Sequence, residues 1–323
     1  MKRWFAAVLL CMGLHAWAQI AQTAPTDCPP GPRAPTADER AQIVAQARDH
    51  GFLWRVSKRG KSSYLYGTIH VGRMEWMFPG PQTLAALKGS QLLAVELDFT
   101  DTELMQRLQK GMAPQTDQAA SPLPDDLAER LRKALHAACV PPELLQSMAP
   151  EMLGTLLVMM SARRDGLDAS YGIDPTLAQL ARQLLKPVVS LETPEMQLAL
   201  LRSTTPAELR EGLEKMLDDL EHDRSRPLLL RVARVWEQGR ADEMARYREW
   251  CDCAGTARER AALKTMLDDR NPPMAERIDA LHASGKTVFA AVGSLHMFGP
   301  TGLPALMAKR GYKVERITFK AVK

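Results

Sequence analysis

Two stretches decide how this chain reads: Tyr64-Leu-Tyr-Gly67-Thr-Ile-His70 and Phe289-Ala-Ala-Val-Gly293-Ser-Leu-His296. Each is a β-prone apolar run, then a glycine, then a histidine three residues further on. Gly67 and Gly293 let the backbone turn tightly where the strand ends, and each histidine projects from the loop beyond. In an open α/β sheet, ligands bind outside the carboxyl ends of the strands. Two histidines presented in this way from distant parts of the chain can face one site.

The third candidate is Glu96, near the end of the apolar run Gln91-Leu-Leu-Ala-Val-Glu-Leu97. A carboxylate there is costly to bury unless it is paired or metal-bound. Two imidazoles and a carboxylate suit manganese, cobalt or zinc, with a position left open for water. Such an ion lowers the pKa of its water and yields hydroxide at neutral pH. The alternative is an ion pair between Glu96 and an arginine. Asp174, Glu192, Arg270 and Asn271 form a second tier. Glu192 also follows a buried strand, whereas Asn271, in Arg-Asn-Pro-Pro ahead of a helix, suits a helix cap. His50, His136, His222 and His282 fall on charged segments and read as solvated surface. His-Glu-x-x-His, Gly-x-Ser-x-Gly, Walker and Gly-x-Gly-x-x-Gly motifs are all missing.

Around these motifs the pattern alternates between strand and helix. A helix is expected at 38–50 with Asp38 as its cap, then a hairpin of Phe52–Ser57 and Ser63–Ile69 about Lys-Arg-Gly-Lys. Buried strands are expected at 91–97, 187–191 and Thr287–Val292, with a last strand at Lys313–Phe319. Helical spacing fills 100–186, 194–284 and 301–310. The class is therefore α/β: a mixed β-sheet core with flanking helices and an inserted helical subdomain at about 100–284, interrupted by a core strand near 187–192.

The first eighteen residues read as a secretory signal. Lys2 and Arg3 are basic, Phe5 to Leu14 are apolar, and Ala16-Trp17-Ala18 supplies the cleavage site. A proline-rich leader, 19–37, follows, and the α/β domain takes up 38–323. Cleavage predicts a periplasmic or secreted protein without a stable membrane anchor. The formal charge of +4 falls by two when Lys2 and Arg3 leave, and basic residues are mixed among acidic ones, so nucleic acid is not an expected partner. Cys28, Cys139, Cys251 and Cys253 remain, an even number that suggests disulfides in an exported chain. A metal site using Cys251-x-Cys253 is the competing reading, weakened by the lack of a Cys-x-x-Cys knuckle. The pairing stays open, as does the oligomeric state.

At these motifs the chain resembles the TraB/PrgY/GumN family. The likeness rests on Leu53-Trp-Arg-Val, the Gly67-x-x-His70 stretch, Val95-Glu-Leu-Asp98, Gly172-Ile-Asp174, Ser190-Leu-Glu192-Thr, Asp269-Arg-Asn271 and the stretch ending at His296, and covers roughly 52–319. That family is similar to Tiki metalloproteases and to haem-binding ChaN-like proteins. The resemblance implies a sheet core with a helical subdomain. It also implies a metal-dependent peptidase acting on a peptide or protein, with His70, His296 and Glu96 as catalytic and metal residues. A non-catalytic binding protein for a peptide, a pheromone or haem is the alternative, with haem held by a histidine or by Tyr64 or Tyr66. Tiki proteins are membrane-tethered, whereas this chain reads as released.

Overall fold

The computed structural model describes residues 28–114 and 123–319, so the expected signal and the leader up to residue 27 lie outside the described residues. The hairpin consists of β1 (Phe52–Lys58) and β2 (Lys61–Thr68), antiparallel and tighter than expected. Only Arg59 and Gly60 form its turn, at φ of 52° and 76°. Two consecutive positive φ values give the turn a twist that matches the flanking strands.

The other strands are β3 (Leu92–Val95), β4 (Val188–Ser190), β5 (Val288–Gly293) and β6 (Lys313–Ile317). They complete a mixed six-stranded sheet in the order β4-β3-β5-β2-β1-β6. β4, β3, β5 and β2 are mutually parallel, and β1 runs antiparallel to both β2 and β6. The reason is chemical. Leu-Leu-Ala-Val in β3 and Val-Phe-Ala-Ala-Val in β5 are apolar at every position and buried throughout, as interior parallel strands covered on both faces must be. β6 alternates charge with Val314 and Ile317, which suits an edge, and its Glu315 sits opposite Arg55 in an ion pair of 3.0 Å.

The helices follow the expected stretches, with different ends. The first spans Ala37–Ala45 and is capped by Thr36, whose hydroxyl accepts from the Glu39 amide while Glu39 reaches back to the Thr36 amide. This reciprocal capping box displaces Asp38 from the role expected of it. Further on come α1 (Asp125–Ala137), α2 (Pro150–Met160), α3 (Ile173–Gln183), α4 (Pro206–Glu221), α5 (Ser225–Glu237) and α6 (Asn271–Ala283). Leu127, Leu131 and Leu135 of α1 meet Leu153 and Leu157 of α2 and Leu217 of α4 in a second apolar core, away from the sheet. Each such side chain contributes about 1.5–3 kcal/mol on burial. Cys139, just past α1, is bonded to Cys28, which ties the leader to this helical layer across 111 residues. Cys251 and Cys253 are bonded to each other, so the alternative of a metal site there is closed.

The sheet and the helices are locked together at Trp236 of α5. Its indole N–H donates to the Gly67 carbonyl at 2.8 Å, and its own carbonyl accepts from Gly51. Gly51 has a φ of 74°, and a Cβ there would stand 2.5 Å from the indole nitrogen and 2.7 Å from the Gly67 oxygen. Gly51→Ala therefore has to strain the backbone and push Trp236 away from the glycine that begins the first histidine motif. We expect a loss of roughly 2–3 kcal/mol, read by urea unfolding with circular dichroism; a variant as stable as wild type contradicts this packing.

Candidate functional site

Because four neighbouring strands are parallel, their carboxyl ends share one edge of the sheet. Glu192 lies just past β4, Glu96 just past β3, His296 just past β5 and His70 just past β2. The order of these residues along the edge is the order of the strands, which sit about 4.8 Å apart.

His70 is oriented by α3. The Ile173 amide bonds the Ile69 carbonyl at 3.0 Å, and Gly172 lies so close that a Cβ would come within 2.7 Å of the His70 oxygen. That contact brings Asp174, buried in the first turn of α3, beneath the imidazole. Its Oδ2 accepts from His70 Nδ1 at 3.1 Å and its Oδ1 from the Thr68 hydroxyl at 2.7 Å. Burial of the neighbourhood works against a charge on His70. The Asp174 carboxylate, helped by Glu96, outweighs it and lifts the imidazole to about 9. The His70 side chain is 57% exposed, so solvent partly screens the pair.

His296 is buried and its partners are different. Nδ1 meets Asn271 Oδ1 at 2.7 Å, and Nε2 meets Arg270 Nη1 at 3.2 Å. A guanidinium only donates, so Nε2 is the acceptor and Nδ1 carries the hydrogen. Burial pushes this imidazole below its ordinary value; Glu96 opposes that and Arg270 adds to it. Asn271 is thus an orienting group for His296, and not the helix cap its position suggests, since α6 has no side-chain cap.

Arg270 joins the edge together. Its Nη2 donates to Glu96 Oε2 at 2.6 Å and to Glu192 Oε2 at 2.5 Å, while Nε donates to Glu192 Oε1 at 2.8 Å. The ion pair weighed for Glu96 is therefore present. Burial alone would raise the Glu96 carboxyl, but His296, His70, Arg270 and the Gly293 amide at 2.7 Å hold it down at about 2.

A point beside Gly293 gathers the three leading candidates. A Cβ there would stand 3.1 Å from Glu96 Oε1, 3.4 Å from His70 Nε2 and 3.7 Å from His296 Cδ2. Among the described residues no group of three or more His, Cys, Asp and Glu is arranged to hold an ion; Arg270 stands on the Nε2 of His296. The donor chemistry nevertheless fits a divalent metal. Both imidazoles have Nδ1 held by an oxygen, the outer-shell arrangement of metal-ligating histidines, and Glu96 Oε1 approaches the same point beside Gly293.

The second tier all reaches this edge: Asp174 and Asn271 through the histidines, Glu192 and Arg270 through Glu96. Thr68 and Gln197, which donates to Glu192 at 3.1 Å, were not legible from pattern. Two readings need correction. His282 is buried, hydrogen-bonded to Ser63 at 2.8 Å and edge-on to Tyr312, and His50 is half-buried between Trp76 and Trp236. Tyr66 is spent on the His50 carbonyl at 2.9 Å inside the core, which removes it as a haem ligand.

A sheet whose parallel edge presents two Gly-x-x-His histidines and a glutamate defines a class, and the sequence places it. Residues 52–316 match the TraB/PrgY/gumN family, so the chain belongs to that family. It is 25% identical to the uncharacterized protein YbaP of Shigella flexneri over 256 residues, 76% of this chain and 88% of that protein. The YbaP of Escherichia coli (strain K12) is 24% identical over 253 residues, 76% of this chain and 87% of that one. A metalloprotease TIKI homolog of Nematostella vectensis is 37% identical over 93 residues, 28% of this chain and 20% of that protein. No solved structure matches.

In the metal-free protein, Asp174→Asn removes the charge that holds the proton on His70. Its pKa, followed by proton NMR of the imidazole, should fall from about 9 towards 6.5. Since the folded value is the raised one, the pair stabilises the fold below pH 6.5 and that contribution fades as pH rises through about 9. An unchanged pKa contradicts the role given to Asp174.

Proposed function

We propose that this chain is an exported, metal-dependent hydrolase acting on peptides or proteins, with His70, His296 and Glu96 as its metal and catalytic residues. The observation that supports it most is the convergence of both imidazoles and the Glu96 carboxylate beside Gly293, with each Nδ1 already engaged. Manganese, cobalt or zinc suits that donor set. Such an ion would supply Lewis acidity and a source of hydroxide near neutral pH.

The protein's own groups then have defined work. Asp174 and Asn271 hold the two rings by Nδ1, so that Nε2 is the nitrogen each can offer. Glu96, kept ionised by its neighbours, suits ligation; as a general base it would first have to shed part of the stabilisation that holds it near 2. The partial likeness to a protein named a metalloprotease adds support for peptides as substrates. Two disulfides favour an oxidising compartment, in keeping with the expected signal. No helix of the described residues is long and apolar enough to cross a membrane.

One observation favours a binding protein without catalysis: Arg270 itself pairs with both the Glu96 and the Glu192 carboxylates. Elemental analysis of the mature protein beside the His70→Ala/His296→Ala variant separates the two. The hydrolase reading expects a single divalent ion per chain, lost in the variant. Uptake should also release a proton and tighten as pH rises towards about 9, because His70 must discharge to ligate. A protein that stays empty after incubation with all three metals overturns this reading and leaves the binding role.

A further inference from the structure

The guanidinium of Arg270 is where the chemistry of the site is in competition with itself. It is largely buried, 12% exposed, and makes five hydrogen bonds. Three go to the charged oxygens of Glu96 and Glu192, and one to the Met266 carbonyl at 3.0 Å. The fifth, to His296 Nε2 at 3.2 Å, is the longest and the only one to a nitrogen. It also uses the lone pair that His296 would give to an ion.

We propose that Arg270 is a built-in counter-cation that competes with the metal for this site: loading requires it to give up His296 while keeping Glu192. The proposal rests on the metal reading above. The charges set the direction. Glu96 and Glu192 bring two negative charges to the sheet edge and Arg270 returns one. A divalent ion at Gly293 is therefore repelled by the guanidinium at the short range where Coulomb terms are large in a buried setting. The anchors make a partial release possible. Glu192 grips Nε and Nη2 together, so the planar guanidinium can tilt as one unit about that pair, drawing Nη1 off His296 while Glu192 stays bonded. Met266, the other partner of Nη1, lies in the π-helical turn Lys264–Asp268, which ends two residues before Arg270. Such turns interrupt regular helices and are often found at functional sites. Arg270 is by this account a positioning residue, holding the empty edge in shape and setting how tightly the ion is held.

A purely structural arginine predicts something different, and three proteins distinguish the two. Metal-stripped wild type, Arg270→Gln and Glu192→Gln are titrated with cobalt(II) by calorimetry and by the absorption of the bound ion, and melted with and without it. The counter-cation account expects Arg270→Gln to bind cobalt at least about tenfold tighter than wild type. It expects Glu192→Gln, which removes a negative charge and leaves Arg270 to Glu96, to bind more weakly. Without metal, Arg270→Gln should melt below wild type and gain more on cobalt addition, since two buried carboxylates have lost their cation. If Arg270→Gln does not fold in either condition, Arg270→Lys replaces it. Lysine keeps the charge but cannot span Glu192 and His296 together, and should still bind tighter than wild type. Cobalt bound by wild type but equally or less tightly by the arginine variant overturns the competition alone, as does tighter binding by Glu192→Gln. Cobalt bound by none of the proteins overturns the metal reading, and this inference with it.

Discussion

Two glutamates at the ends of adjacent parallel strands cannot both be buried as anions unless a cation joins them. Arg270 is that cation, and much of the carboxyl edge is arranged around it. Glu96 and Glu192 are among the least exposed charged residues of the chain, at 4% and 3%. Desolvating either alone would cost several kcal/mol. The guanidinium fork meets both at once in planar geometry, something a lysine cannot reproduce. It also reaches His296, so the charge balance of the edge and the orientation of a histidine depend on one side chain.

Around that pairing the sheet acts as a ruler. β4, β3, β5 and β2 deliver Glu192, Glu96, His296 and His70 in sequence along one edge, though in the chain they are scattered from residue 70 to residue 296. Helices fasten the rings from beneath: α3 supplies Asp174 to His70, and the start of α6 supplies Asn271 to His296. Strand ends thus supply the groups that can react, and helix starts supply those that aim them. The separate helical core, with its disulfide to the leader, contains none of the residues of this edge.

How much of this was legible in the sequence follows from how local each signal is. The buried strands could be read because Leu92–Val95 and Val288–Gly293 carry apolar residues at every position, and the hairpin because Arg59-Gly60 interrupts two β-prone runs. The Gly-x-x-His pairs pointed to His70 and His296 because glycine marks where each strand ends. Their partners were named only as a second tier, and which group each would meet could not be read. Asp174 lies 104 residues from His70, and Arg270 lies 174 from Glu96. Asn271 was misjudged because a polar residue ahead of a helix usually caps it, and here His296 claims its oxygen instead. His282 was misjudged because its segment is charged, while its partner Ser63 is 219 residues away.

The central claim is that the space beside Gly293 is where an ion is held. Gly293 has φ and ψ of −47° and 137°, which any L-residue can adopt, so alanine there adds a methyl group without straining the backbone. That methyl would stand 3.1 Å from Glu96 Oε1 and 3.4 Å from His70 Nε2. The measurement is cobalt(II) uptake by Gly293→Ala beside wild type, with melting curves of both. The account predicts a variant that folds, melts somewhat below wild type because Glu96 has to give way to the methyl, and takes up no cobalt where wild type does. A variant that binds cobalt as tightly as wild type would show that the ion, if any, lies elsewhere.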